Sequence, residues 1–243
     1  MNLILDQGNT LCKIACVDSS DNFVYFQVVD ELTPAFLKEC LSTYTPQNAI
    51  LSTVKTIDNQ LLALLEAELH TFVHLGPDTP LPIRNGYGTP STLGFDRLAA
   101  AVGAWSQQPG KPLIVIDMGT AITYDFVSRD GTFTGGNIAP GMQTRFKSLN
   151  QFTGKLPLVE PTQTFEVLGS TTETAIRSGV MQGILFELDG YIDALKLRYP
   201  DLFAFLTGGD LFYFDRKLKN GIFVDDKLVL KGLNRILRHN VHS

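Results

Sequence analysis

One pattern occurs twice in this chain and constrains its fold more than any other feature: a strand-like apolar run that ends in Asp-x-Gly. The later copy reads Leu113-Ile114-Val115-Ile116-Asp117-Met118-Gly119-Thr120-Ala121-Ile122-Thr123. The earlier one reads Leu3-Ile4-Leu5-Asp6-Gln7-Gly8-Asn9-Thr10. In the later copy four apolar residues, three of them β-branched, carry the signature of a short buried strand. The glycine then permits a tight turn and close backbone approach. A strand that ends this way can offer a carboxylate to a cation and backbone N–H groups to an anion. Apolar residues suited to returning strands follow each turn, at 11–17 and 121–127. Two copies of one strand–acid–glycine–strand unit imply an internal duplication, with two lobes presenting similar turns to one cleft.

The rest of the chain repeats that plan. Strands are expected at 2–6, 11–17 and 23–29, with Ser19-Ser20-Asp21-Asn22 as the second turn. Thr33 can cap a helix with Pro34 at its first position, running to about Ser42. A strand at 49–54, an amphipathic helix at 58–69 and a strand at 71–75 follow, which is the alternation of a layered α/β domain. Residues 76–90 are broken by Pro77, Pro80, Pro82, Gly86, Gly88 and Pro90 into a long stretch with no regular element. An alanine-rich helix spans 95–105, and Pro109-Gly110-Lys111-Pro112 marks a boundary between a lobe at 1–110 and another at 111–243. Beyond it come strands at 113–117, 121–127 and 132–138, a helix at 142–149, and a long helix at 172–197 with a candidate break near Gly190. A strand at 202–206 ends in Thr207-Gly208-Gly209-Asp210, and a last helix begins at about Asp226.

Composition narrows the function classes. The 243 residues are 44% hydrophobic and 19% charged, as in an ordinary globular protein. A net charge of −5 argues against a general nucleic-acid binder. Cys12, Cys16 and Cys40 lack paired ligand spacing and read as small apolar residues in a reducing compartment. The sequence opens with no basic-then-apolar leader and holds no apolar run of bilayer length, so the expected address is the cytoplasm, without a membrane partner.

Each candidate site residue has an ordinary alternative. A lone Asp at a strand end commonly caps a turn, but the duplicated context favours cation or phosphate work for Asp6 and Asp117. Gly8, Asn9 and Thr10 would then supply donors to phosphate oxygens, with Lys13 nearby. Asp96 can be a helix-dipole partner worth about 0.3–1 kcal/mol, or it can accept a substrate hydroxyl proton while Arg97 holds an anionic group. Lys227, Lys231, Arg235 and Arg238 fall on one helical stripe, which reads as a solvated face.

Together the motifs resemble one family, type III pantothenate kinase, within the actin-like, sugar-kinase and Hsp70 ATPase superfamily. The resemblance is carried by Asp6-x-Gly8-Asn9-Thr10, by Asn85-x-Tyr87-x-x-Pro90-x-x-Leu93-Gly94-x-Asp96-Arg97 and by Asp117-x-Gly119-Thr120-Ala121. It continues through Gly135-Gly136-x-Ile138-x-Pro140-Gly141, Thr172-x-x-Ala175-Ile176-x-Ser178-Gly179 and Thr207-Gly208-Gly209-Asp210. It implies an α/β fold of two actin-like (ribonuclease H-like) lobes with mixed sheets, internally duplicated, and an active site in the interlobe cleft. It implies phosphorylation of the pantothenate hydroxyl by ATP with Mg²⁺, the first step toward coenzyme A. On that pattern Asp6, Gln7, Gly8, Asn9, Thr10, Leu11, Cys12 and Lys13 form the first phosphate loop, with Asp6 serving Mg·ATP, and Thr120 contacts ATP. Asp117 binds a monovalent cation, K⁺ or NH₄⁺. Tyr87, Gly94, Phe95, Asp96, Arg97 and Thr172 contact pantothenate, with Asp96 as proton acceptor. Members of the family are homodimers. Gln7 replaces a usually apolar residue, and 152–168 has little to match. Two competing functions stand beside this one: a superfamily kinase with another acceptor alcohol, and a nucleotide-binding regulator without catalysis.

Overall fold

The computed structural model describes residues 1–8 and 11–241. They fall into two compact units, Met1–Gln107 with Lys227–Ser243, and Gln108–Asp226. The first unit opens with β1 (Asn2–Gln7), β2 (Cys12–Val17) and β3 (Phe23–Val29), each antiparallel to the one before. It continues through α1 (Pro34–Tyr44), β4 (Asn48–Thr53), α2 (Asn59–Glu68) and β5 (Thr71–His74). A two-residue strand, β6 (Arg84–Asn85), and α3 (Phe95–Gln107) follow. Its sheet runs β3-β2-β1-β4-β5, with β1, β4 and β5 parallel.

The second unit holds β7 (Leu113–Met118), β8 (Ala121–Val127), β9 (Thr132–Pro140), α4 (Met142–Phe152), α5 (Thr172–Arg198), β10 (Phe203–Thr207) and β11 (Phe223–Val224). Its strands run β9-β8-β7-β10-β11, with β7, β10 and β11 parallel. Both sheets therefore pair an antiparallel meander with parallel strands reached by helical crossovers. The duplication expected from the two Asp-x-Gly turns is present as one topology built twice.

Local chemistry explains the element starts. Thr33 Oγ1 accepts the Phe36 N–H at 3.2 Å, with Pro34 at the first helical position. Asp58 caps α2 by accepting the Gln60 N–H at 2.8 Å. One face of the first sheet buries Leu3, Leu5, Ile14 and Leu51 with Leu37 of α1 and Leu65 of α2. In the second unit Ile114, Ile116 and Leu206 pack with Phe146 of α4 and Met181, Ile184 and Leu188 of α5. Fully burying side chains of this size is worth about 1.5–3 kcal/mol each.

Three boundaries differ from the sequence expectations. The last helix, α6 (Leu228–Val241), completes the first unit instead of a lobe at 111–243. Its backbone touches α3: a methyl at Gly232 would lie 1.7 Å from the Ala99 carbonyl oxygen, and one at Gly103 would lie 2.3 Å from that of Leu228. The alanine-rich sequence of α3 serves this contact. Asn234 adds a polar clip, accepting from Asn2 Nδ2 at 2.8 Å and donating to Asp21 at 2.7 Å. Arg238, from the stripe read as solvated, donates to the carbonyls of Asp18 and Ser19 at 3.0 and 2.7 Å. Second, α5 runs unbroken through Gly190. An interior glycine costs only about 1 kcal/mol, and buried Leu188 and Ile192 flank it. Third, the 76–90 stretch contains β6. Among the described residues no helix is long and apolar enough to cross a membrane.

Candidate active site

In the first unit the β1–β2 turn is closed by Gly8 N–H donating to the Leu11 carbonyl at 3.0 Å. Asn9 and Thr10 lie outside the described residues. Antiparallel register sets Asp6 opposite Lys13, so their side chains share a face. Asp6 is half-buried, and its carboxyl is pushed up to about 6. Burial is the main cause, Lys13 opposes it, and the charge of Asp96 adds to it. Asp96 therefore lies within electrostatic reach of Asp6.

Gln7, Leu11 and Cys12 contribute to this turn as framework. Gln7 Oε1 accepts from the Thr53 hydroxyl at 2.9 Å, which ties the turn to β4. Leu11 is exposed and supplies the carbonyl that Gly8 binds. The Cys12 side chain is buried in the α1–α2 core, and burial, then Asp6, push its thiol up to about 12. It stays protonated and leaves only its backbone to the turn.

At the start of α3, Asp96 Oδ1 accepts the Arg97 N–H at 2.8 Å. A methyl at Gly94 would sit 2.4 Å from that oxygen, so glycine leaves room for the carboxylate to fold back over the helix end. Phe95, the first helical residue, is half-buried. Arg97 is only 7% exposed, unusual for an arginine. Its guanidinium carbon lies 5.6 Å from the centre of the Tyr87 ring, a cation–π distance. Tyr87 is in turn fixed by its N–H donating to Asn85 Oδ1 at 3.0 Å. The proline- and glycine-rich loop thus delivers Tyr87 to Arg97. Beside them a cavity of about 210 Å³ is lined by Leu75, Ile83, Asn85, Phe95 and Leu98.

In the second unit Asp117 stands between Thr123 of β8 and Thr207 of β10 in direct register. The Thr123 hydroxyl oxygen is buried and has no hydrogen-bond partner among the described residues. Gly208 follows at φ 97°, where a methyl would lie 2.4 Å from the Met118 backbone and 2.5 Å from Asp117 Oδ1. Only glycine lets this turn pass so close to the acid. Asp210 N–H donates to the Met118 carbonyl at 3.0 Å, and burial raises the Asp210 carboxyl. Thr120 is exposed at the tip of the β7–β8 turn, and Thr172 is exposed at the first position of α5.

A hairpin centred on Thr120 pairs Thr123 with Asp117 by symmetry. Sequence reasoning missed Tyr124, Arg145 and Glu187. Tyr124 donates to Glu187 at 2.6 Å and Arg145 pairs with Glu187 at 2.8 Å. Nothing in the sequence spacing links these three residues.

The family model described as type III pantothenate kinase matches residues 2–194. A type III pantothenate kinase of Phocaeicola vulgatus is 48% identical over 240 residues, covering 99% of each chain. Among solved structures, a Campylobacter jejuni protein assigned to the Baf family of transcriptional activators superposes with a TM-score of 0.63 at 21% identity, covering 99% of this chain and 100% of that one. A glucokinase from an Antarctic psychrotroph gives 0.52 at 16% identity, covering 98% of each. These two likenesses establish the fold alone, that of the actin-like sugar kinases.

Proposed function

The chain belongs to the type III pantothenate kinase family, and from that premise we propose that it transfers the terminal phosphate of ATP to the hydroxyl of pantothenate, the first step toward coenzyme A. What supports this reading is that one unit holds Asp6 opposite Lys13 at the β1–β2 turn and gathers Asp96, Arg97 and Tyr87 at the start of α3. Phosphoryl transfer is mostly positioning and charge stabilisation, so these are the parts such a reaction needs.

The residue roles are those the family pattern implies. The β1–β2 turn, with Lys13, receives the phosphates. A half-buried carboxylate held up at about 6, with the charge of Lys13 too little to offset its burial, fits a site for Mg²⁺ arriving with ATP. The ion, when bound, neutralises charge developing on the transferred phosphoryl group. Tyr87 and Arg97 hold pantothenate, Arg97 through its carboxylate. Gly94 and Phe95 shape the wall, and Asp96 takes the hydroxyl proton. Thr120 contacts ATP, and Thr172 contributes to the substrate site. Purified protein incubated with Mg·ATP should phosphorylate pantothenate and none of a panel of sugars and other alcohols. Turnover with a sugar alone overturns the substrate, and nucleotide binding without any turnover overturns the enzyme.

Asp117 is the seat of a monovalent cation, K⁺ or NH₄⁺, and the Thr123 hydroxyl opposite it, without a hydrogen-bond partner among the described residues, supports the assignment. Carboxylate and hydroxyl oxygens suit such a hard cation. Activity should rise with K⁺, and Thr123→Val should raise the K⁺ concentration for half-activation about tenfold, roughly 1.4 kcal/mol. Equal half-activation in the variant and the parent removes Thr123 from the site.

The active form is a homodimer in the cytoplasm. Gly179, Gly183, Phe186 and Gly190 lie on one stripe of α5, with open space at each glycine and Phe186 64% exposed. Such spacing lets two helices pack along a seam. Sedimentation should give a dimer at micromolar concentration that Phe186→Glu dissociates; a parent monomer rejects it.

A further inference from the structure

The β7–β8 turn that presents Thr120 is held from behind by a chain of contacts, all within the second unit. The Thr120 carbonyl accepts two hydrogen bonds, from Gly141 N–H at 3.0 Å and from the Thr144 hydroxyl at 2.7 Å. A methyl at Gly141 would lie 2.0 Å from the Gly119 carbonyl oxygen and 2.6 Å from that of Thr120. The start of α4 therefore bears directly on the turn. The next residue, Arg145, donates from Nε to the Pro140 carbonyl at 2.7 Å and from Nη2 to Glu187 at 2.8 Å. Glu187, on α5, also accepts from the Tyr124 hydroxyl of β8 at 2.6 Å. Glu187 thus ties α5 to the strand leaving the turn and to the helix pressed against it.

The ion pair is sheltered, with Arg145 and Glu187 side chains 20% and 26% exposed, so salt screens it less than a surface pair. Both Glu187 oxygens and two Arg145 nitrogens are engaged, which fixes rotamers that would otherwise be free. A braced loop loses less freedom when it takes up a ligand.

We propose that Thr144, with Arg145 and Glu187 behind it, positions the Thr120 turn for the ATP phosphates. None of the three is a catalytic residue; each acts through the backbone of the turn. The inference rests on the reading that Thr120 contacts ATP.

The test separates that reading from the inference. Thr120→Ala is the control: an unchanged KM for ATP refutes the ATP contact itself. With that contact established, Thr144→Val, which keeps shape and loses the hydroxyl, should raise the KM for ATP about fivefold to tenfold. The KM for pantothenate should stay within about twofold. Thr144→Ser should restore the parent value. Glu187→Gln keeps an acceptor for Tyr124 and loses the charge facing Arg145, and it should raise the KM for ATP in the same selective way. A purely structural role would instead lower the melting temperature and move both KM values together, or neither. Either result, with Thr120→Ala impaired, overturns the inference.

Discussion

Replacing Asp96 by Asn should lower turnover by about 10²–10⁴-fold, or about 3–5 kcal/mol of barrier, while ATP affinity changes little. The structure makes this substitution unusually clean. Asp96 Oδ1 accepts the Arg97 N–H at 2.8 Å, and an asparagine carbonyl can accept the same bond. The helix end is kept and the proton acceptor is lost. Gly94 already leaves room for the side chain, so nothing need shift. The lower end of the range is favoured if the transition state is loose, because little charge then develops on the attacking hydroxyl. The substitution also removes a negative charge that holds the Asp6 carboxyl up, so the Asp6 pKa should fall in the variant. Turnover and melting temperature are to be measured on one preparation. Turnover within about threefold of the parent, less than 1 kcal/mol, leaves Asp96 as a helix cap only.

The parts of this fold that were legible in the sequence are those with local causes. Thr33-Pro34 marks a helix start because a hydroxyl cap and a fixed φ act within one turn. The repeated Asp-x-Gly turns announced two sheets of one topology because each encodes a strand, a reversal and a second strand within a dozen residues. The destination of α6 was not legible: Asn2 and Asn234 meet across nearly the whole chain, and no periodicity in either segment records the other. Gly103 and Gly232 let α3 and α6 touch, and neither glycine records its partner. At the site, the Asp96-Arg97 pair was legible as chemistry while its ambiguity between cap and base was not resolved by spacing. The contact of Tyr87 with Arg97 depends on the path of an irregular loop, which residue type alone does not fix. Cys12 reads as a small apolar residue, and strand alternation turns its side chain into the core.

Asp6→Asn should abolish useful activity and at the same time make the protein more stable. A carboxylate pushed up to about 6 by burial is an anion the fold holds against its preference. Between the ordinary carboxylate range, near 4, and about 6, the native state binds more protons at this position than the unfolded chain does. Stability contributed by the group therefore falls as pH rises through that window and stays low above it. The full difference, about two pKa steps, corresponds to about 3 kcal/mol near pH 7. Asparagine carries no charge at any pH and escapes the cost. With Mg²⁺ removed by a chelator, Asp6→Asn should melt about 6–12 °C above the parent at pH 7.5, and the advantage should shrink to nothing at about pH 4. Turnover with Mg·ATP should fall at least about a hundredfold, the scale of losing one electrostatic contact to a transition state. Pantothenate binding should survive, since Tyr87 and Arg97 are held by Asn85 and α3 and not by this turn. A variant that melts at the parent's temperature at both pH values shows that Asp6 is not strained. One that also turns over normally takes Asp6 out of the phosphate site altogether.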